Sequence, residues 1–141
     1  MFVDASALVA ILKSEPEASK FLAALEGAEG RALTSPVARF EAVISLAIQM
    51  ARARGEVHMT AEDHDMAEEL VGGLLEEIGA RELDVTEIIG RAARQAALTY
   101  GKVTGHPAKL NMGDCFSYAM AKSSGVRLLY KGDDFAQTDV A

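Results

Sequence analysis

The chain has 141 residues and a formal net charge of -7. That length suits one domain spanning 1–141 around a single core, and the surplus of carboxylates excludes nucleic-acid binding through a broad basic surface. The longest apolar run falls far short of a membrane span, and Cys115, the only cysteine, excludes an internal disulfide and fits a reducing cytoplasm. No basic segment precedes the first apolar residues, so no secretory leader is expected. Without Trp, the core must be built from Ala, Leu, Val, Ile and Met. If such a chain handles RNA, a bound cation and local basic residues must offset repulsion from the phosphates. The charge also suits a basic protein partner.

Met1 to Asp4 reads as a short buried strand, and Leu8, Val9, Ile11 and Leu12 give the following segment, Ser6 to Lys13, a helical period. Pro16 is placed to open a second helix running to about Gly27, with Phe21, Leu22 and Leu25 on one face. Arg31 to Ser35 reads as a second strand. Pro36 opens a long helix to about Arg54, ended by Gly55. Thr60 and Asp63 resemble a capping box, and the helix behind them extends to about Val71. Ile78 to Leu83 is a short third strand with Gly79 inside it. Thr86 caps a helix that ends near Gly101, Lys102 to Lys109 forms a loop, Gly113 to Ser123 is helical, and Gly125 leads into a last strand, Val126 to Tyr130. Strands alternating with helices predict a mainly parallel sheet covered on both faces, hence an α/β fold of three layers.

In such sheets, ligands collect at the carboxyl ends of the strands. Asp4 and the pair Asp133 and Asp134 follow strands, so they lie on that edge. Asp114 begins a helix running back antiparallel to the next strand, which puts it on the same edge. Glu41 sits about one and a half turns into a helix leaving that edge, at 3.6 residues per turn. Two carboxylates about 4 Å apart repel by roughly 4 kcal/mol at an effective dielectric of about 20. A cluster of them must bind a cation or take up protons. With only oxygen donors, Mg²⁺ or Mn²⁺ is favoured over zinc. A carboxylate-held Mg²⁺ acidifies its bound water and neutralises a phosphodiester in its transition state, which makes phosphodiester hydrolysis the bottom-up reading.

Plainer roles exist for each residue. Asp4 or Ser6 could cap the first helix. Glu41, Ser45 and Gln49, four apart, could form a solvated stripe. Asp114 could complement a helix dipole behind an Asn111 cap, and Asp133 and Asp134 could be turn residues. All four plain accounts holding on one rim would be a coincidence. His106, in Gly105-His106-Pro107, reads as structural. His58 and His64 lack the i, i+4 spacing of a helical metal pair. Cys115 reads as core. No Walker loop or G-x-G-x-x-G stretch is present.

Met1-Phe2-Val3-Asp4-Ala5-Ser6-Ala7-Leu8, Glu41 on its helix, Leu110-Asn111-Met112-Gly113-Asp114-Cys115-Phe116-Ser117-Tyr118-Ala119 and Leu128-Leu129-Tyr130-Lys131-Gly132-Asp133-Asp134-Phe135 closely resemble PIN-domain ribonucleases. More narrowly, they resemble the VapC-type toxins of bacterial toxin–antitoxin pairs. The order of all four segments, with Gly105-His106-Pro107-Ala108 ahead of the third, carries the resemblance over essentially the full length. It implies a three-layer α/β/α sandwich and an Mg²⁺-dependent endoribonuclease, with Mn²⁺ as a substitute, that hydrolyses RNA with metal-activated water. It also implies a cytoplasmic homodimer held inactive by a cognate VapB-type antitoxin. Matched motif to motif, Asp4, Glu41, Asp114 and Asp134 take the metal-binding and catalytic roles, with Ser6 and Asp133 in support.

Two other readings compete. A signalling receiver shares the doubly wound sheet, an acid after the first strand and a lysine, here Lys131, after the last. Receivers pair acids at the first strand and carry a phosphoacceptor Asp at a mid-chain strand end, whereas here Asp4 stands alone and Thr34-Ser35 follow the second strand. A phosphatase of the haloacid dehalogenase type would need a second Asp where Ser6 stands. The remaining reading is a PIN-fold scaffold that binds RNA or antitoxin without cutting.

Overall fold

The structure, a computed structural model, describes residues 1–28 and 30–140. Four short strands, β1 (Phe2–Val3), β2 (Leu33–Thr34), β3 (Arg81–Glu82) and β4 (Leu128–Leu129), form one sheet in the order β3-β2-β1-β4. Every pairing is parallel, with Phe2 opposite both Leu33 and Leu128, and Val3 opposite Leu129. Parallel neighbours need crossovers. α1 (Ala5–Leu12) and α2 (Ala18–Glu26) connect β1 to β2, α3 (Pro36–Ala53) and α4 (Ala61–Glu77) connect β2 to β3, and α5 (Glu87–Tyr100) and α6 (Met112–Ser124) connect β3 to β4.

The alternation of a strand sends neighbouring side chains to opposite faces, and two cores result. Val3 packs with Leu8, Phe21, Leu46, Val71 and Leu75 from α1 to α4. Phe2 packs with Ile89, Leu110, Met120 and Phe135 on the α5–α6 side. Both β1 side chains are fully buried, as a strand covered on two faces requires. The fold is thus the expected three-layer α/β/α sandwich. Chain order runs outward from β1 in one direction to β3 and in the other to β4. The sheet therefore has its topological switch point between β1 and β4, where the carboxyl ends of an α/β sheet open into a crevice.

Local chemistry sets most boundaries. Ser35 caps α3 by accepting from the Ala38 amide, with Pro36 in the first turn. Thr60 and Asp63 form a reciprocal capping box on α4, and Asn111 and Asp114 form one on α6. Gly125, at φ 63°, ends α6 in the left-handed conformation.

Several boundaries differ from the sequence reading, and the second and last strands, read over Arg31 to Ser35 and Val126 to Tyr130, shorten to Leu33–Thr34 and Leu128–Leu129. Pro16 lies in the turn before α2 and does not open it. α4 continues past Val71 through Gly72 and Gly73 to Glu77. Burial of Ala67, Val71, Leu74 and Leu75 along one face outweighs the roughly 1 kcal/mol that each glycine costs a helix. The third strand shrinks to Arg81–Glu82, because Gly79 adopts φ 61° and belongs to the turn that ends α4. The Lys102 to Lys109 loop contains a 3₁₀ turn, Lys102–Thr104, and a parallel bridge between Gly101 and Leu110. No helix among the described residues is long and apolar enough to cross a membrane.

Candidate active site

Asp4 leaves β1 at the switch point and caps α1. It is 4% exposed, and its carboxylate is held as an acceptor by three hydrogen bonds. Its Oδ2 accepts from the Ser6 amide at 2.9 Å and the Ser6 hydroxyl at 2.6 Å, while Oδ1 accepts from the Ser117 hydroxyl at 2.7 Å. Ser6 Oγ in turn accepts from the Lys131 amide at 3.0 Å, which ties the end of β1 to the exit of β4. Asp4 is therefore both the helix cap and a carboxylate oriented by two hydroxyls. The cap and the pocket-lining carboxylate are the same group.

The other acids come to the same place. Asp4, Ser6, Glu41, Asp114 and Asp134 line one open pocket of about 720 Å³, together with Asn111 and Lys131. Helix α3 supplies Glu41, Ser45 and Gln49 to this wall, the last two joined by a 3.0 Å hydrogen bond, so the polar stripe is a face of the pocket. Asp114 sits in the first turn of α6, its Oδ2 accepting from the Asn111 amide at 2.8 Å. The loop after β4 is anchored by Phe135, 1% exposed and edge-on to Tyr130, and this fixes the backbone next to Asp134. Asp133 is exposed and is not among the pocket-lining residues.

The electrostatics follow from this crowding. Burial first, then the charges of Asp4 and Asp114, push the Glu41 carboxyl up to about 7. Burial also raises Asp114, to about 6; the Asn111 amide opposes the shift, and Asp4 and Asp134 add to it. Glu41 and Asp114 thus each feel two of the other acids. Lys131 does not relieve them, because its ammonium pairs with Glu15, with Glu17 at 3.9 Å.

An all-oxygen, mutually repelling donor set has the chemistry of a hard divalent cation site. Among the described residues no three His, Cys, Asp or Glu side chains are already gathered into a ligand cage. Asp114 is engaged by its own helix cap, and Asp4 by its two serines.

The sequence reading passed over two residues. Ser117, fully buried on α6, orients Asp4; a small hydroxyl on the otherwise apolar face of a helix was its only signal. Gly113 is buried against the Glu41 carboxyl group, and its signal was a glycine inside the first helical turn. The histidines take no part. His106 Nδ1 accepts from the Ala108 amide at 3.1 Å and its ring meets Tyr100 edge-on, and His64 lies beside Asp65. Cys115 is buried in the core, which raises its thiol pKa. At the end of β2, where a receiver would carry its phosphoacceptor, the buried Thr34 hydroxyl donates to the Val3 carbonyl.

Comparison with known proteins concerns the chain as a whole. The family model of the PIN domain matches residues 1–141. A VapC ribonuclease of Rhizobium meliloti is 43% identical over 143 residues, covering 99% of this chain and 98% of that protein. Ribonuclease VapC30 of Mycobacterium tuberculosis is 40% identical over 141 residues, 100% of this chain and 96% of its own length. Ribonuclease VapC42 of the same organism is 38% identical over 140 residues, 99% and 96% of the two chains. Full-length agreement at this level, on a sheet whose switch point gathers the four acids, makes this chain a member of the PIN-domain family, related over its whole length to VapC ribonucleases.

Proposed function

We propose that this chain, as one domain, is the endoribonuclease toxin of a toxin–antitoxin pair and that it hydrolyses RNA phosphodiester bonds at the pocket between β1 and β4. One observation carries the reading: Asp4, Glu41, Asp114 and Asp134 arrive from four separate elements and line a single pocket. The names of the relatives supply the RNA substrate class and, through the VapC designation, a VapB-type antitoxin as partner.

In this reading Asp4 and Asp114 are the principal residues that would hold Mg²⁺ or Mn²⁺, with Glu41 and Asp134 completing the set. Once bound, the cation would supply positive charge to the scissile phosphate and acidify water at neutral pH. The protein does the rest. Ser6 and Ser117 fix both oxygens of Asp4, so this carboxylate is oriented before substrate arrives. Glu41, raised to about 7 by burial and by its acidic neighbours, holds its proton more readily than a free glutamate and so eases repulsion from Asp4 and Asp114 in the absence of a cation. Arg52, on the pocket wall, offers a positive charge to a phosphate. Phe40, Ile44 and Ile48 form an apolar flank beside the acids.

A cytoplasmic setting is supported by the single, buried cysteine. A homodimer is supported by exposed Val103 and Met112, which line a common apolar cleft between α5 and α6 that a second copy could cover. The test is cleavage of total cellular RNA by folded, antitoxin-free protein, with Mg²⁺ or Mn²⁺ and again with excess EDTA. Cutting that EDTA abolishes and metal restores is expected. Equal cutting in EDTA, or none by protein with a cooperative melting transition, would overturn the reading.

A further inference from the structure

We propose that Gly113 is a positioning residue for Glu41, the missing side chain at this site being the slot that the Glu41 carboxyl group occupies. Gly113 is the second residue of α6 and is buried. A Cβ built there would overlap Cδ and both carboxylate oxygens of Glu41. Among the described glycines this contact stands apart. At Gly101 a Cβ would meet the Ala97 backbone, and at Gly72 and Gly90 it would make ordinary contact with arginine side chains.

Glycine is the poorest helix former after proline, and nothing in the conformation of α6 calls for it here, since Gly113 has no positive φ. Its use is the space it leaves. The slot lies between Met112, exposed at the start of the helix, and Asp114, whose charge acts on Glu41, and it lies one turn before Ser117, which orients Asp4. One face of α6 thereby sets the positions of three of the four acids. An alanine at 113 would press on the free end of a flexible side chain. The fold can absorb this by letting Glu41 swing away, so the loss should fall on the site and not on folding. The inference rests on the proposed role of Glu41 in the carboxylate set.

The experiment is a melting cycle without metal on the parent, Gly113→Ala, Glu41→Ala and the double variant, followed by Mn²⁺ binding and RNA cleavage. With Glu41 present, Gly113→Ala should leave the melting temperature unchanged or lower it slightly. With Glu41 removed, the same change should raise it by roughly 2–3 °C, because the methyl group then has room and the helix gains propensity. Gly113→Ala should also weaken Mn²⁺ binding and cleavage at least tenfold. If Gly113→Ala alone fails to fold and the double variant folds, the overlap with Glu41 is supported in its stronger form.

Equal melting shifts in both backgrounds, or parental Mn²⁺ binding and cleavage by Gly113→Ala, would overturn the proposal, as would failure of the double variant to fold. Parental cleavage by Glu41→Ala would instead overturn the reading of Glu41 on which it rests, while the melting cycle would still report the packing.

Discussion

Replacing Glu41 with Gln in the metal-free protein should stabilise it at pH 8 and do little at pH 5. The sign follows from the direction of the shift. An acid raised from 4.5 to about 7 on folding holds its proton more tightly in the native state. The associated stability is fully present below pH 4.5 and is lost as pH rises through 7. For a fully buried group the gap would be worth about 3 kcal/mol. Glu41 is only half-buried and faces an open pocket, so screening leaves roughly 1–2 kcal/mol. For a chain of this size that is roughly 3–7 °C in melting temperature. Glutamine keeps the shape without the charge, so Glu41→Gln should melt higher than the parent by that margin at pH 8, the difference shrinking several-fold by pH 5. Saturating Mn²⁺ should then reverse the order, since it stabilises the form that binds it. The assay is thermal denaturation followed by circular dichroism in EDTA and in Mn²⁺. A Gln variant that melts below the parent at pH 8 in EDTA, or by the same offset at both pH values, would refute the reasoning.

Other outcomes follow from particular contacts. Ser117→Ala should fold normally and lose roughly tenfold in cleavage rate, because Asp4 Oδ1 loses its charge-assisted partner at 2.7 Å; parental rates would remove Ser117 from the site. Asp134→Asn should depress cleavage while Asp133→Asn leaves it near parental, since only the former acid lines the pocket; the opposite pattern in a single-turnover assay would exchange their roles. Outside the pocket lining, Arg54 makes a bidentate pair with Asp63, at 2.5 and 2.7 Å, that holds this carboxyl well below the usual carboxylate range. The pair stabilises the fold above pH 3.8 and loses that effect as pH falls further. Arg54→Ala should therefore melt below the parent at pH 7, with the gap closing under pH 3 in a pH series of melts.

Where a residue's chemistry acts locally, the sequence was enough to read it. Thr60 with Asp63, Thr86 and Asn111 start helices where their side chains reach the first free amides, and Pro36 opens α3 as read, although the Ser35 cap before it reads as strand. The strand-then-acid pattern put Asp4 and the pair Asp133 and Asp134 on the carboxyl edge; of these, Asp4 and Asp134 line the pocket and Asp133 does not. Longer-range packing was harder to see. Gly72 and Gly73 look like a helix end until Val71, Leu74 and Leu75 are seen buried together. From their spacing alone, Glu41, Ser45 and Gln49 read sooner as a solvated stripe than as a site wall; only the sheet order, with β1 between β2 and β4, turns that stripe toward Asp4. The link between Ser117 and Asp4 spans 113 residues, and no local pattern announces it.

The central claim is that Asp4 anchors a carboxylate set that cuts RNA, and Asp4→Asn is its most direct test. Asparagine caps helices as well as aspartate does, so α1 should form and the variant should melt within a few degrees of the parent. End-labelled cellular RNA is incubated with equal amounts of each protein, free of antitoxin, in Mg²⁺ and in Mn²⁺. The account predicts discrete cleavage by the parent and no detectable cleavage by folded Asp4→Asn. Parental cleavage by that variant would contradict it.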